Sequence, residues 1–310
     1  DSAKPKFASI TLIARTQSQA DAIVSAGENE RYLPGEKLNP RLRVTADVFC
    51  LARTTHVVFV TPAQGFAALS KSLSSTLTQD ATLILCSKGV DAASGRTMSE
   101  IASTNLPGRQ LSVLSGPSFA HDVVRGLPTA VTLGSAGSEE ATLALATLLA
   151  TPTFRIYPSK DVTGVEAGGA LKNIFAIAVG VARGLELGAS AEAALTARGF
   201  AEMTRLAVAM GAKRETLAGL SGLGDLVLTC ASPQSRNFAY GMALARGATT
   251  PDMPLAEGAK SATAALAIAR ENTIDVPIID AVSNIITGTL TPESAVRELL
   301  SRPLRSEAPS

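Results

Sequence analysis

Lys172 sits in the run Val165-Glu166-Ala167-Gly168-Gly169-Ala170-Leu171-Lys172-Asn173, which leads straight into the apolar stretch Ile174 to Ala182. An ammonium at the mouth of a segment that should be buried loses solvation. A desolvated amine responds by holding its proton less tightly, with shifts of up to roughly 3–5 units. Such a Lys can give and take a proton near neutral pH. The simpler option for a Lys on an apolar helix is to snorkel its head to water. Gly168 and Gly169 weigh against that option, because each costs a helix roughly 1 kcal/mol relative to Ala. Paired glycines there predict the close approach of another backbone or of a ligand.

Four further groups carry candidate chemistry. Ser87-Lys88-Gly89-Val90 follows the apolar run Thr82 to Cys86, so Lys88 is either an ordinary solvated loop residue or a charge at the rim where a ligand sits. Leu114-Ser115-Gly116-Pro117-Ser118-Phe119-Ala120 follows the next apolar run; Gly-Pro turns the chain, and Ser118 is suited to cap a helix whose free amides could take an anion. In Ser221-Gly222-Leu223-Gly224-Asp225-Leu226 a carboxylate follows a Gly-rich bend, where Asp225 could also be no more than an N-cap. Ser235-Arg236-Asn237 offers a guanidinium fork and an amide at a helix start, a geometry suited to phosphate.

The elements that must position these groups fall into two halves. Ser9 to Ala14, Val57 to Thr61, Thr82 to Cys86, Leu111 to Leu114, Thr129 to Leu133 and Phe154 to Tyr157 are short, apolar and often β-branched. Helix-compatible stretches lie between several of them, at Gly65 to Leu77, Met98 to Thr104 and Glu139 to Ala150. Near-continuous apolar strands alternating with helices predict a doubly wound, Rossmann-like α/β domain with a parallel sheet covered on both faces. After Asp161 strand signals fade, and helices are predicted at Val165 to Leu185, Ser190 to Ala209, Arg236 to Ala245, Ser261 to Glu271, Pro277 to Thr287 and Pro292 to Leu300. The expected division is therefore an α/β dinucleotide-binding domain over 1–160 and an all-α substrate and catalytic domain over 161–310. A tail from Arg305 to Ser310 is expected to fray. Ligands of open α/β sheets lie outside the carboxyl ends of the strands, which puts the cleft between the two halves.

Composition narrows the function classes. The 310 residues suit two domains, and a hydrophobic share of 46% excludes bulk disorder. With 28 basic and 27 acidic residues the formal charge is +1, so there is no overall field to hold a nucleic acid and any anion recognition must be local. Cys50, Cys86 and Cys230 form no CxxC pair, and two His (His56 and His121) are too few for a zinc site. Reduced cysteines fit a cytoplasmic location. The run Ile174 to Ala182 falls short of the ~20 apolar residues that span a bilayer, and Asp1 to Phe7 has no apolar signal core, so a soluble protein without a transmembrane segment is expected.

The order of the motifs is specific. GENERYLPG (Gly27 to Gly35), SKGV, LSGPSFA, GLPTAV (Gly126 to Val131), VEAGGALKN, GLGDLVLTC (Gly222 to Cys230) and SRN run in register from about Ile10 to Pro303. In that order they closely resemble the bacterial NAD(P)-dependent glycerol-3-phosphate dehydrogenase family. The resemblance implies hydride transfer between a nicotinamide and C2 of dihydroxyacetone phosphate, giving sn-glycerol 3-phosphate for phospholipid synthesis. It implies that Lys172 is the proton donor and acceptor at the C2 oxygen and that Asp225 orients it and the glycerol hydroxyls. Lys88 would meet substrate and cofactor, Gly116 and Ser118 would line the substrate site, and Ser235, Arg236 and Asn237 would hold the phosphate. Ala120, Arg236, Leu255 and Glu257 would face the cofactor. Arg15, just after the strand Ser9 to Ala14, stands where an acid would bind the NAD ribose, and so favours the 2′-phosphate of NADP. No metal is implied, and a homodimer is compatible with the resemblance.

One departure stands out. The family opens with a strand, a GxGxxG turn and a helix before reaching the strand that Ser9 to Ala14 resembles, whereas here only Asp1 to Ala8 precede it, without a glycine. A βαβ unit takes roughly 30 residues or more. In the order 3-2-1-4-5-6 the first strand is central, so the loss would remove the pyrophosphate cradle and leave strand edges unpaired. The expectation is a piece of a longer chain with intact distal motifs. The alternatives are a non-catalytic sugar-phosphate-binding or regulatory homologue that has lost dinucleotide binding, and a related Lys-dependent hydroxyacid dehydrogenase.

Overall fold

The structure is a computed structural model that describes residues 6–250, 253 and 256–303. The chain opens with β1 (Thr11–Ile13) and α1 (Gln17–Ala26), the latter capped by the Thr16 hydroxyl and ended by left-handed Gly27, where a side chain would be strained. β2 (Arg43–Thr45) and a 3₁₀ turn over Val48–Arg53 lead to β3 (His56–Phe59), α2 (Ala63–Ser72), β4 (Thr82–Leu85), α3 (Met98–Asn105) and β5 (Leu111–Ser115). A five-residue α4 (Ala120–Val124), β6 (Thr129–Ser135), α5 (Glu139–Leu149) and β7 (Phe154–Ser159) complete the α/β half. The strands match the expected runs within a few residues. β2 and α1 had no expected counterpart, since RVT is too short and half-polar to register and QSQADAIVSA has little apolar periodicity.

The doubly wound α/β class stands, with two corrections to the sheet. β3, β4, β5, β6 and β7 form one sheet in that order, but β5 and β6 pair antiparallel, Ser115 lying opposite Thr132. The connection explains this. α4 rises only about 7.5 Å, too little to carry the chain back along a strand of roughly 16 Å, so it re-enters from the end it left. β1 and β2 pair parallel in a separate two-stranded sheet rather than joining β3 to β7 in one. Val58 of β3 is 47% exposed and Val60, just past the strand's end, 68%, against the expected cover on both faces.

From Asp161 onward the chain is helical: α6 (Val162–Gly184), α7 (Ala189–Ala209), α8 (Arg214–Leu217), a π turn over Leu220–Gly224, α9 (Asp225–Ala231), α10 (Arg236–Ala245), α11 (Glu257–Glu271), α12 (Pro277–Ile286) and α13 (Pro292–Ser301). α6 is the axis. Every residue from Gly164 to Ala182 is buried, because α7, α9, α10, α11 and α12 surround it and its start leans on β5 and β6. This corrects the expected apolar span, which was too short. α6 is long and apolar enough to cross a membrane, yet that window is wholly buried inside the protein, as befits a core helix.

Glycines set how closely its neighbours approach. A Cβ on Gly180 would lie 2.1 Å from the Phe238 carbonyl oxygen, and one on Gly241 2.1 Å from that of Ile177, so α6 and α10 meet backbone to backbone. Asp161 caps α6 through the Gly164 amide at 2.8 Å and ties it to Lys213 N at 2.8 Å. Buried Glu202 of α7 accepts from the Ile278 and Ile279 amides and so caps α12. Glu166 of α6 reaches into the α/β half, accepting from the Ser99 amide at 2.8 Å and from its hydroxyl. The tail Arg305 to Ser310 lies outside the described residues.

Candidate functional site

The reactive groups gather where the carboxyl ends of β4 and β5 meet α6 and α9. Lys172 does not snorkel: it is 6% exposed and points into this junction. Its ammonium donates to Asp225 Oδ1 at 2.6 Å and to Thr229 Oγ1 at 2.7 Å. Lys88, from the loop after β4, donates to Asp225 Oδ2 at 2.7 Å and to the Gly116 carbonyl at 3.1 Å. One carboxylate, itself 1% exposed, therefore bridges two ammoniums.

The electrostatics follow from that arrangement. Burial, then repulsion from Lys88, bring the Lys172 amine down to about 8, against the attraction of Asp225. Near neutrality this amine can both lose and regain its proton, which an exposed Lys cannot do. Burial holds the Cys230 thiol, one position beyond Thr229, up at about 12, so it stays protonated and inert.

Local geometry explains why these residues, in this order, arrive together. A Cβ on Gly168 would lie 2.5 Å from the Ser221 carbonyl oxygen, and one on Gly169 2.4 Å from Ser115 Oγ. The expected close approach is thus made by the π turn and by β5, with no ligand needed to account for it. Their absence of side chains seats α6 on the turn that precedes Asp225. Asp225 is not an N-cap but the first residue of α9, its neighbour Gly224 taking the cap position without a side-chain bond. Thr229, one helical turn later, donates to the Asp225 carbonyl at 2.6 Å and accepts from Lys172. Reading DLVLT in GLGDLVLTC as part of a helix would have placed Thr229 over Asp225; the apolar run Leu226 to Leu228 concealed that spacing.

The other expected residues are placed as follows. Gly116, at φ 153°, presents its carbonyl to Lys88; a Cβ there would lie 2.8 Å from the Val131 backbone. Ser118 does not cap α4, since Phe119 holds that position; its hydroxyl donates to the Gly116 carbonyl at 3.0 Å. Ala120 opens α4 and is exposed. Ser235 caps α10 through the Phe238 amide at 3.3 Å, and Arg236 is exposed at the helix start. Asn237 is buried, its carbonyl oxygen accepting from the Gly258 amide and its amide donating to Asn173 Oδ1, both at 2.9 Å. Arg15 is exposed beyond the end of β1, apart from the lysine pair in sequence and sheet. Leu255 lies outside the described residues.

Glu257 opens α11 and leans on the Lys88 loop: a Cβ on Gly89 would come within 3.4 Å of its Oε2. That oxygen is buried without a hydrogen bond of good geometry, and burial pushes the carboxyl up against the attraction of Arg236 and the pull of the Ala63 amide. An orphaned acceptor beside the β4 exit fits the hydroxyl or amide edge of a dinucleotide. Among the described residues no group of three or more His, Cys, Asp or Glu could hold a metal ion.

Comparison with known proteins places the chain in a family. Residues 3–141 match the family model described as the NAD-dependent glycerol-3-phosphate dehydrogenase N-terminus, and residues 161–297 the one described as its C-terminus. The glycerol-3-phosphate dehydrogenase [NAD(P)+] of a Bradyrhizobium species is 48% identical over 96% of this chain and 91% of its own. That of Novosphingobium aromaticivorans is 47% identical over 97% and 91%. The crystal structure of glycerol-3-phosphate dehydrogenase from Coxiella burnetii superposes with a TM-score of 0.89 at 35% identity, covering 95% of this chain and 92% of that one. A ketopantoate reductase family structure from Ralstonia eutropha, at 15% identity and a TM-score of 0.58, shares the fold alone.

Proposed function

Since this chain belongs to the NAD-dependent glycerol-3-phosphate dehydrogenase family, we propose that the Lys172, Asp225 and Lys88 cluster is where it handles the C2 oxygen of its substrate. The reaction is the reversible, NAD(P)-dependent interconversion of dihydroxyacetone phosphate and sn-glycerol 3-phosphate, the step that feeds phospholipid synthesis. When bound, the nicotinamide supplies or takes the hydride. Lys172 gives its proton to the C2 oxygen in reduction and takes it back in oxidation. Asp225 and Thr229 fix the direction of that ammonium, and Lys88 adds a second positive charge facing the oxygen that becomes negative. The observation that carries this reading is the buried ammonium at 2.6 Å from a carboxylate it shares with a second Lys.

Arg236 is the group proposed for the phosphate, with Ser235 and Asn237 flanking it. It is exposed at the start of a ten-residue helix whose amides add their dipoles, one position before Asn237, which bonds to Asn173 next to Lys172. Gly116 and Ser118 form the wall on the β5 side. Glu257, Ala120 and Arg15 are proposed for the dinucleotide, Arg15 favouring a 2′-phosphate. Division into a cofactor unit over 1–160 and a catalytic unit over 161–310, a cytoplasmic location and a homodimer complete the reading; sedimentation analysis checks the last. Matches to this family over nearly the whole chain favour an enzyme over a non-catalytic sugar-phosphate binder.

The test pairs substrates with Arg236. NADPH oxidation is expected with dihydroxyacetone phosphate and not with ketopantoate. Losing a charged hydrogen-bond donor costs roughly 1.5–3 kcal/mol, so Arg236→Ala should raise the KM for the phosphate substrate about 10- to 100-fold with little change in kcat. Turnover of the ketoacid, or indifference to Arg236, would overturn the assignment.

A further inference from the structure

Two side chains of the helical half grip the backbone of the loop that carries Lys88. Asn173 Nδ2 donates to the Lys88 carbonyl at 3.3 Å, and Ser261 Oγ accepts from the Val90 amide at 3.3 Å. Asn173 is itself held, because its Oδ1 accepts from Asn237 Nδ2, and Asn237 in turn accepts from the Gly258 amide at the start of α11. All three side chains are buried, Asn173 at 6%, Asn237 at 8% and Ser261 at 0% exposure. There is no slack in the grip. A Cβ on Gly258 would lie 2.4 Å from the Asn173 carbonyl oxygen, and one on Gly89 2.8 Å from Ala63 Cβ and 3.2 Å from Ser261 Oγ. Gln64 braces the far side, donating to the Val90 carbonyl at 2.8 Å and accepting from Ala92 N at 2.9 Å.

Resting on the reading above, we propose that Asn173, Asn237 and Ser261 form a buried clamp that fixes the Lys88 loop, and with it the approach of the Lys88 ammonium to the carboxylate it shares with Lys172. Asn237 is then a positioning residue whose amide oxygen and one amide hydrogen are already committed, and Arg236 alone of the SRN triplet is left for the phosphate. A buried amide cross-linked on both sides is costly to unmake, because each freed polar group stays desolvated.

The clamp has a consequence that ordinary structural support lacks. The charges acting on Lys172 are Lys88 from the loop and Asp225 from α9, while the neighbouring Cys230 thiol of α9 is neutral near pH 8. Arg236 on α10 and Glu257 on α11 face one another instead, and Glu202 on α7 is engaged by the α12 amides. If the loop loosens, Lys88 withdraws from Asp225. Lys172 then loses a repelling neighbour and gains a larger share of the carboxylate, and both changes raise its proton affinity.

The test titrates Lys172 in the full chain by NMR of ¹³C-labelled lysine, without substrate or cofactor, assigning its signal by loss in Lys172→Arg. The wild type should titrate at about 8. Asn237→Ala and Ser261→Ala should each move the midpoint up by roughly 0.5–1 pH unit, and Lys88→Met by at least as much. Ser261→Ala removes a single acceptor and decides the matter alone if Asn237→Ala does not fold. An unmoved midpoint in Ser261→Ala, or in both variants, overturns the clamp; a raised KM for dihydroxyacetone phosphate alongside it makes Asn237 a direct phosphate ligand. The reading of the reaction fails separately, by absence of wild-type NADPH oxidation, and the titration does not depend on it.

Discussion

Lys172 is the residue on which the chemistry turns, and its state sets the direction of the pH dependence. Burial and Lys88 bring its amine down to about 8, so below that pH it is an ammonium able to donate and above it a neutral base able to accept. Glycerol phosphate oxidation should therefore rise with pH through about 8, and ketone reduction should fall above it. Asp225 attracts the ammonium and raises its affinity, so Asp225→Asn should shift both profiles toward lower pH and lower the rate. Lys172→Ala should lower kcat by about 10²- to 10⁴-fold, measured in both directions; a near-normal rate would remove it from proton transfer. At this scale the sequence was informative about identity and poor about contact. Lys172 stood out because an ammonium beside an apolar run is unusual, whereas Lys88 and Asp225 were each open to an ordinary reading, as a loop residue and an N-cap, and gained their expected roles from the order of the motifs. Thr229 did not, since one hydroxyl within an apolar run carries no signal until the run is known to be helical. Asn173 was equally silent, because an amide gains meaning only from its partners.

At the scale of elements, the site exists because α6 can lie against the π turn, β5 and α10 with no side chain between. Gly168→Ala and Gly241→Ala put a Cβ 2.5 Å and 2.1 Å from main-chain carbonyl oxygens of Ser221 and Ile177, which cannot swing away as a side-chain tip can. Overpacking of this kind costs about 1–3 kcal/mol after relaxation, partly offset by roughly 1 kcal/mol of helix propensity. Each substitution should lower Tm by up to a few degrees, and Gly168→Ala should also lower kcat by displacing the turn before Asp225. Gly65→Ala is the control: it lies in α2 with nothing within 4 Å of an added Cβ and should leave Tm unchanged or raise it. Helix positions were legible from the 3.6-residue pattern and from helix-start residues such as the cap Ser235 and Pro277 in the first turn. The functions of the glycines were legible only halfway. Gly168 and Gly169 announced a close approach, but a bare sequence does not distinguish a ligand from the backbone of Ser221.

Across the whole molecule, cohesion is uneven. The helical half and the sheet from β3 to β7 share α6, whose residues pack on both, and Glu166 ties it to the start of α3. Among the described residues, β1 and β2, three residues each, pair only with each other and have no buried position within the strands. The pattern of apolar runs gave the two halves and the strand count nearly whole. It was blind to the order of pairing, because a run such as TAVTL reads the same in parallel and antiparallel company, and the short α4 that decides it had no periodicity to detect. An uneven molecule should open unevenly, since local opening costs range from near zero up to the global free energy. Native-state hydrogen exchange can rank them. The Ala14 amide, bonded to the Thr45 carbonyl at 2.8 Å, and the Leu83 amide, bonded to that of Gln110 at 2.8 Å, have equally short bonds. Bond length therefore predicts equal protection, whereas cooperativity predicts that Ala14 exchanges on the order of a hundredfold faster, because Leu83 opens only with the core behind it. Dinucleotide, if it engages Arg15 beside β1, should slow Ala14 and leave Leu83 nearly unchanged. Equal exchange of the two amides in the ligand-free protein would mean that the small sheet folds as one unit with the large one.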